Sequence, residues 1–335
     1  MDRLARSIEI YRNKGMRILV QRALRHIRNK IIPVPTVTDP DTPKSVFVLK
    51  HLYNWWFNTQ YGTGTDVMAE DWDTLILLDA CRFDDFEEIN PLSGELNSRI
   101  SRGVDSDEFI RENFVGRELH DTVYVTANPH VSLLNSNEFY DTITEPIDQW
   151  DADLGCVRPG IVTNAAKKAH RDYPNKRIIV HYMQPHDPPL GTTAERLREK
   201  YQIGGPISDG TTPDCDRIME LVADGTISAD RARTAYRETL EIVLTEVESL
   251  LDAISGKVVI SADHGEHFGE QPYPLLGELY EHYRNPRTIE VCKVPWFVVD
   301  TGTERRKIKT EESTVGATSV SEETVAEQLQ ALGYR

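Results

Sequence analysis

The stretch Gly256-Lys-Val-Val-Ile-Ser-Ala262-Asp263-His264-Gly265-Glu266-His267 decides how the chain is read. Its first half is a continuous apolar run, the pattern of a strand buried on both faces of a parallel sheet. Its second half sets a carboxylate and an imidazole side by side where strand alternation ends. Gly265 lets the backbone turn, so both side chains can reach one ion. A carboxylate with an imidazole suits zinc or manganese better than calcium.

Four more runs of the same kind lie outward from it: Asp73–Asp79, Asp121–Ala127, Lys176–Met183 and Val294–Asp300. Helical spacing is found between them, at roughly 106–115, 161–173, 192–202 and 228–254. A last helix is expected over about 321–332, ahead of Gly333. Strands alternating with helices predict an α/β fold with a mainly parallel central sheet and helices on both faces.

Such sheets bind ligands off the carboxyl ends of their strands. The Asp73–Asp79 run delivers Asp79, followed by Ala-Cys81-Arg82. A buried carboxylate needs a partner, and both a metal and a helix N-terminus qualify. Cys81 reads as a small buried residue. The Lys176–Met183 run continues into Gln-Pro185-His186-Asp187-Pro-Pro, whose prolines fix an irregular loop at the same edge. That loop presents His186, with Asp187 beside it. His181, inside the strand, reads as a core histidine. His282 stands on a loop before the last strand, within reach of the edge.

The 335 residues include 38 Lys and Arg against 54 Asp and Glu, a formal net charge of −16. Residues 1–30 hold nine basic and two acidic residues, a local +7, which leaves −23 on the rest. An acidic body argues against nucleic acid as a partner. No apolar run approaches the roughly 18–20 residues needed to cross a bilayer. From Met16 onward, Leu19, Val20, Ala23, Leu24, Ile27 and Ile31 share one helical face, with Arg17, Arg22, Arg25 and Arg28 opposite. Such a helix can lie in an anionic membrane surface, or pack on the acidic body. The four cysteines are widely separated, with no CxxC pair, and no apolar h-region follows the basic start. The chain is therefore expected in the cytoplasm, with peripheral contact at the inner face of the membrane through residues 1–31. The expected organisation is this basic segment, then a Pro-rich linker and aromatic segment over 32–65. A catalytic domain over 66–300 and a polar stretch with a helix over 301–335 complete it.

Asp79-Ala-Cys-Arg82 after one strand, His186 in a Pro-His-x-Pro loop, Asp263-His264-Gly-Glu266 after a later strand, and His282 downstream occur in a telling order. Together they resemble the sulfatase branch of the alkaline phosphatase superfamily, over about residues 70–300. The resemblance implies an alkaline-phosphatase-like α/β sandwich and a divalent metal (Zn, Mn, Mg or Ca) held by Asp79, Asp263 and His264. One ion is expected rather than two; a second would call on residues such as Asp187 and His282. The resemblance also implies a nucleophile at a helix N-terminus, for which Ser106 is the first choice and Ser101 the second. Ser106 is equally an ordinary N-cap. His186 and His282 are expected to bind the anionic ester and to protonate the leaving group, and Arg82 to bind the substrate. No Cys or Ser here begins the Cys/Ser-x-Pro-x-Arg pattern of formylglycine sulfatases. Phosphate esters, handled by hydrolysis or transfer, are therefore expected ahead of sulfate esters. The substrate would sit on a glycan or lipid headgroup. The rival readings are an inactive relative that binds an anionic glycan or lipid, and a true sulfatase without the formylglycine motif.

Overall fold

Every residue of β1 (Thr74–Asp79) is buried, as expected of a strand covered on both faces. Leu75 and Leu77 point into one core, and Ile76 and Leu78 into the other. β1 sits inside the sheet of a computed structural model that describes residues 44–135, 137–201, 217–282, 286–311 and 322–331. The basic segment 1–31, the proline-rich start of the linker, Cys215 and Gly333 lie outside the described residues.

The other strands are β2 (Glu95–Ile100), β3 (Leu119–Thr126), β4 (Phe139–Ile143), β5 (Arg177–Pro185), β6 (Lys257–Ser261), β7 (Phe268–Glu270), β8 (Leu279–Tyr280) and β9 (Lys293–Asp300). Seven of them form one sheet in the order β2-β9-β6-β1-β5-β3-β4. β6, β1, β5, β3 and β4 run parallel, and β9 runs antiparallel to both of its neighbours. β7 and β8 pair separately.

The helices are α1 (Lys44–Tyr61), α2 (Phe83–Ile89), α3 (Ser106–Asn113), α4 (Pro159–Asp172), α5 (Thr192–Tyr201), α6 (Ile218–Ala223), α7 (Ala229–Leu251), α8 (Ile289–Cys292) and α9 (Glu322–Ala331). One sheet face is covered by α4 and α7, whose Val162, Ala166, Ala169, Leu240, Val243 and Val247 meet Ile76, Val125, Val180 and Ile260. The opposite face meets Phe109 and Ile110 of α3. The α/β sandwich, mainly parallel with helices on both faces, is thus the architecture present.

Some elements differ from the sequence reading. The aromatic segment within 32–65 holds a helix of 18 residues, α1. It packs through the fully buried Phe57 onto Val104, Val291 and Cys292. β2, an edge strand of mixed polarity (Glu-Leu-Asn-Ser-Arg-Ile), was not expected. Among the described residues, no helix is long and apolar enough to cross a membrane.

Candidate metal centre

The parallel strands β1 and β6 are neighbours, so their carboxyl ends bring Asp79 and Asp263–His264 to one point. One ligand atom each from Asp79, Asp263 and His264 lies within 4.8 Å of the others, and all three side chains are buried. The backbone at Ala80 and Gly265 makes this possible. Ala80 takes a left-handed φ of 59°, a conformation costly for a residue with a Cβ, of order 1 kcal/mol. Its N–H donates to Asp263 Oδ1 at 3.1 Å, and its carbonyl accepts from Tyr236 Oη at 2.8 Å. At Gly265, a Cβ would stand 2.2 Å from the Glu290 carbonyl, so only glycine allows the loop to pass.

Ser106 joins this cluster. The cap of α3 is Asp105, which accepts from Glu108 N at 2.8 Å, so Ser106 is the first helical residue and its hydroxyl is released from capping. That hydroxyl donates to Asp263 Oδ2 at 2.5 Å and lies 3.4 Å from Asp79 Oδ2. Ser101 is placed elsewhere: its hydroxyl donates to the backbone carbonyl of Asp263 and accepts from Gly103 N.

Two residues that the sequence reading did not place in the site, Asn128 and the core histidine His181, complete the arrangement. Asn128, just beyond β3, donates from Nδ2 to Asp79 Oδ2 at 2.9 Å and to Ser106 Oγ at 3.0 Å. Applying the strand-end rule to β3 would have found it. His181 is buried in β5 as expected, yet its Nε2 faces Asp263 Oδ2 at 3.4 Å while Tyr124 Oη bonds its Nδ1 at 2.7 Å.

The cluster fits a cation. His264 Nδ1 donates to the Gly265 carbonyl at 2.9 Å, which fixes the tautomer that leaves Nε2 as a ligand. His264 Nε2 and Asp79 Oδ1 are buried, lie 3.4 Å apart and make no hydrogen bond, as two donor atoms aimed at a common ion do. Two buried carboxylates without a cation are unfavourable. Burial opposes charge on the His264 imidazole, but Asp263 and then Asp79 outweigh it and push the group up to about 10. Burial alone would raise Asp263, yet His264, His181 and Ser106 hold it well below the ordinary carboxylate range. A proton on His264 thus does the work that a metal ion would do. Metal binding must displace that proton, so apparent affinity should rise about tenfold per pH unit between pH 6 and 9. Calorimetry in buffers of different ionisation heat would show about one proton released per ion. Affinity independent of pH would contradict this.

His186 and His282 form a second layer, their rings 5.1 Å apart, with His282 4.1 Å from His264. His186 Nδ1 donates to the Asp187 carbonyl at 2.6 Å, and His282 Nδ1 meets Glu266 Oε2 at 3.1 Å. Burial pulls His186 down to about 4 and His282 well below its usual value, the latter with help from His264. Burial raises Glu266 to about 7. Arg82 is held by protein partners: Asp84 at 2.8 Å through two nitrogens, Glu270 at 2.5 Å and the Glu266 carbonyl at 2.9 Å. It ties down the loop that carries Glu266.

No family model and no curated protein matches the sequence. Among solved structures, the chain is similar to the integral membrane lipooligosaccharide phosphoethanolamine transferase A of Neisseria meningitidis, at 14% identity and a TM-score of 0.41. That match covers 67% of this chain and 47% of that one, so it spans less than half of that protein's length. It is also similar to the periplasmic domain of EptC from Escherichia coli solved with zinc, at 12% identity and a TM-score of 0.40, covering 70% and 74% of the two chains. A structure described as a sulfatase from Bacteroides thetaiotaomicron has 12% identity and a TM-score of 0.38, covering 78% and 70% of the two chains.

Proposed function

We propose that this chain is a metal-dependent hydrolase or transferase of phosphate esters, with sulfate esters as the lesser choice, from the sulfatase-like branch of the alkaline phosphatase superfamily. Ser106 is its nucleophile. The observation that carries this reading is the position of the Ser106 hydroxyl: first residue of a helix, fully buried, on the Asp263 carboxylate and beside Asp79, the two carboxylates that group with His264. The order of motifs along the chain agrees with it.

Asp79, Asp263 and His264 would hold a divalent ion, which when bound supplies Lewis acidity toward the ester oxygens and lowers the serine pKa. The other roles belong to the chain. Asp263 Oδ2 already accepts the Ser106 proton at 2.5 Å. Ser106 Oγ forms the new bond to phosphorus as the ester P–O bond breaks, and its proton is given up to solvent, with Asp263 orienting the hydroxyl rather than keeping the proton. Asn128 holds the Oγ from the other side at 3.0 Å. The start of α3 faces the developing negative charge. His186 and His282, neutral without ligand, gain basicity when a dianionic group arrives. One of them gives a proton to the leaving alkoxide. Water or an acceptor alcohol then releases the group from Ser106. Such a site acts through local chemistry, which reconciles an acidic body with an anionic substrate.

The test is turnover by the full chain of aryl phosphate, phosphodiester and aryl sulfate substrates, before and after chelation. Phosphoester turnover that chelation removes and a divalent ion restores is expected. No turnover with any loaded metal favours the inactive glycan- or lipid-binding reading. Turnover indifferent to chelation overturns the metal assignment.

A further expectation concerns Asn128. Asn128→Ala removes its bonds to Asp79 and Ser106, and with them the cap it gives His130 N, so kcat should fall about 10- to 100-fold with KM little changed. An unchanged kcat would remove Asn128 from the site's support.

A further inference from the structure

Helix α1 wears its apolar side outward. Val48, Leu52 and Trp55 fall at i, i+4 and i+7, one stripe of a helix, with Trp56 flanking it. Trp55 is 66% exposed, and Leu275 is 76% exposed on the adjoining loop. That loop is bound to the helix: Tyr53 stacks on Tyr273 at 4.3 Å, Trp56 meets the edge of Tyr273, and the Tyr53 hydroxyl donates to the Pro274 carbonyl. Single exposed apolar residues are ordinary, but a contiguous group with two tryptophans marks a contact surface.

Charge chooses the occupant. α1 carries Lys44 and Lys50 and no acidic residue. The chain leading into it holds the +7 of residues 1–30, while Asp39 and Asp41 balance the two lysines. Residues 1–61 thus carry all the excess positive charge of a chain whose remainder is −23. A second copy seated on this face would bring two such basic segments together. An anionic lipid surface attracts the basic segment and accepts Trp and Leu at its headgroup boundary.

We infer that the face formed by Val48, Leu52, Trp55, Trp56 and Leu275 seats in the surface of an anionic membrane. It is separate from the basic segment 1–31 and adds apolar insertion to that segment's electrostatic attraction. The helix is also braced on the site. Phe57 packs on Val104, two residues before Ser106, and on Val291, whose carbonyl accepts from Gly265 N at 2.7 Å. Arg287 N donates to Asn54 of α1, while the Arg287 guanidinium donates to the Ser101 and Arg102 carbonyls. Docking through α1 would therefore tie to the membrane the segments that lead into Ser106 and Gly265, a consequence that rests on the function proposed above.

The experiment is co-sedimentation of the full chain with phosphatidylcholine vesicles, with and without phosphatidylserine. Wild-type protein should bind the vesicles that contain phosphatidylserine. Leu52→Ser with Trp55→Ser should weaken partition at least about tenfold, and Leu275→Ser, on a different segment, about fivefold. Circular dichroism and melting temperature should not change, because these side chains face solvent. Wild-type binding retained by both variants overturns the inference, as does no binding by the wild type. A wild-type dimer that Leu52→Ser with Trp55→Ser dissolves would assign the face to a protein partner instead.

Discussion

Ser106→Ala should lower phosphoester turnover by about 10³-fold or more and leave metal binding intact. The substitution deletes one oxygen. Asp263 Oδ2 keeps its contact with His181, Asp263 Oδ1 keeps two backbone donors, and Asp79 keeps Asn128. The lost serine–carboxylate bond is worth about 1.5–3 kcal/mol at most, so the variant should fold. Titration of the apoprotein with zinc or manganese, read by the rise in melting temperature, checks that the cation site survives. Loss of turnover with unchanged metal binding separates chemistry from architecture. Turnover at the wild-type level would remove Ser106 from the mechanism and leave the metal reading standing.

Asp263→Asn should be as damaging, for a different reason. Asp263 is the hub of the centre: it receives the Ser106 hydroxyl, the Ala80 and His264 backbone N–H groups, and faces two imidazoles. The amide preserves shape but removes the charge that raises His264 and would attract an ion. Metal affinity should fall at least about 100-fold, and turnover with it by about 10³-fold. In the wild type, free ion at 100 times Kd should add about 2.7 kcal/mol of stability, a rise of several degrees in melting temperature. In Asp263→Asn at the same ion concentration the gain should drop to about 0.4 kcal/mol or less. A variant that keeps the full wild-type gain would show that the ion sits elsewhere.

The parts of this account that were legible in the sequence share a property: the residue's neighbours along the chain announce its place. Asp79 and Asp263 each end a run of apolar residues, so the strand and its carboxyl terminus could be read together. His264 came with Asp263, and His186 with its prolines. What was not legible depends on packing across the chain. Asn128 reaches Asp79 only because β3 lies beside β5, which lies beside β1. His181 looks like a core residue because it is one; its second role appears only when β6 delivers Asp263 against it. Arg82 seemed free to bind an anion, but Asp84 two residues on and Glu270 far along the chain hold its guanidinium. α1 escaped because its exposed side is apolar as well, which erases the polar stripe by which a surface helix is recognised. β2 escaped because an edge strand needs little burial, and its pattern is mostly exposed or half-buried.

The central claim is that Ser106 takes the transferred group. It is tested most directly by mixing metal-loaded enzyme with excess aryl phosphate, quenching in acid within the first turnover, and mapping the modified peptide by mass spectrometry. The account predicts a phosphoryl group on Ser106, absent in Ser106→Ala and absent when the metal is withheld. A phosphoryl group on another residue, or turnover with no modified peptide at any quench time, would contradict it.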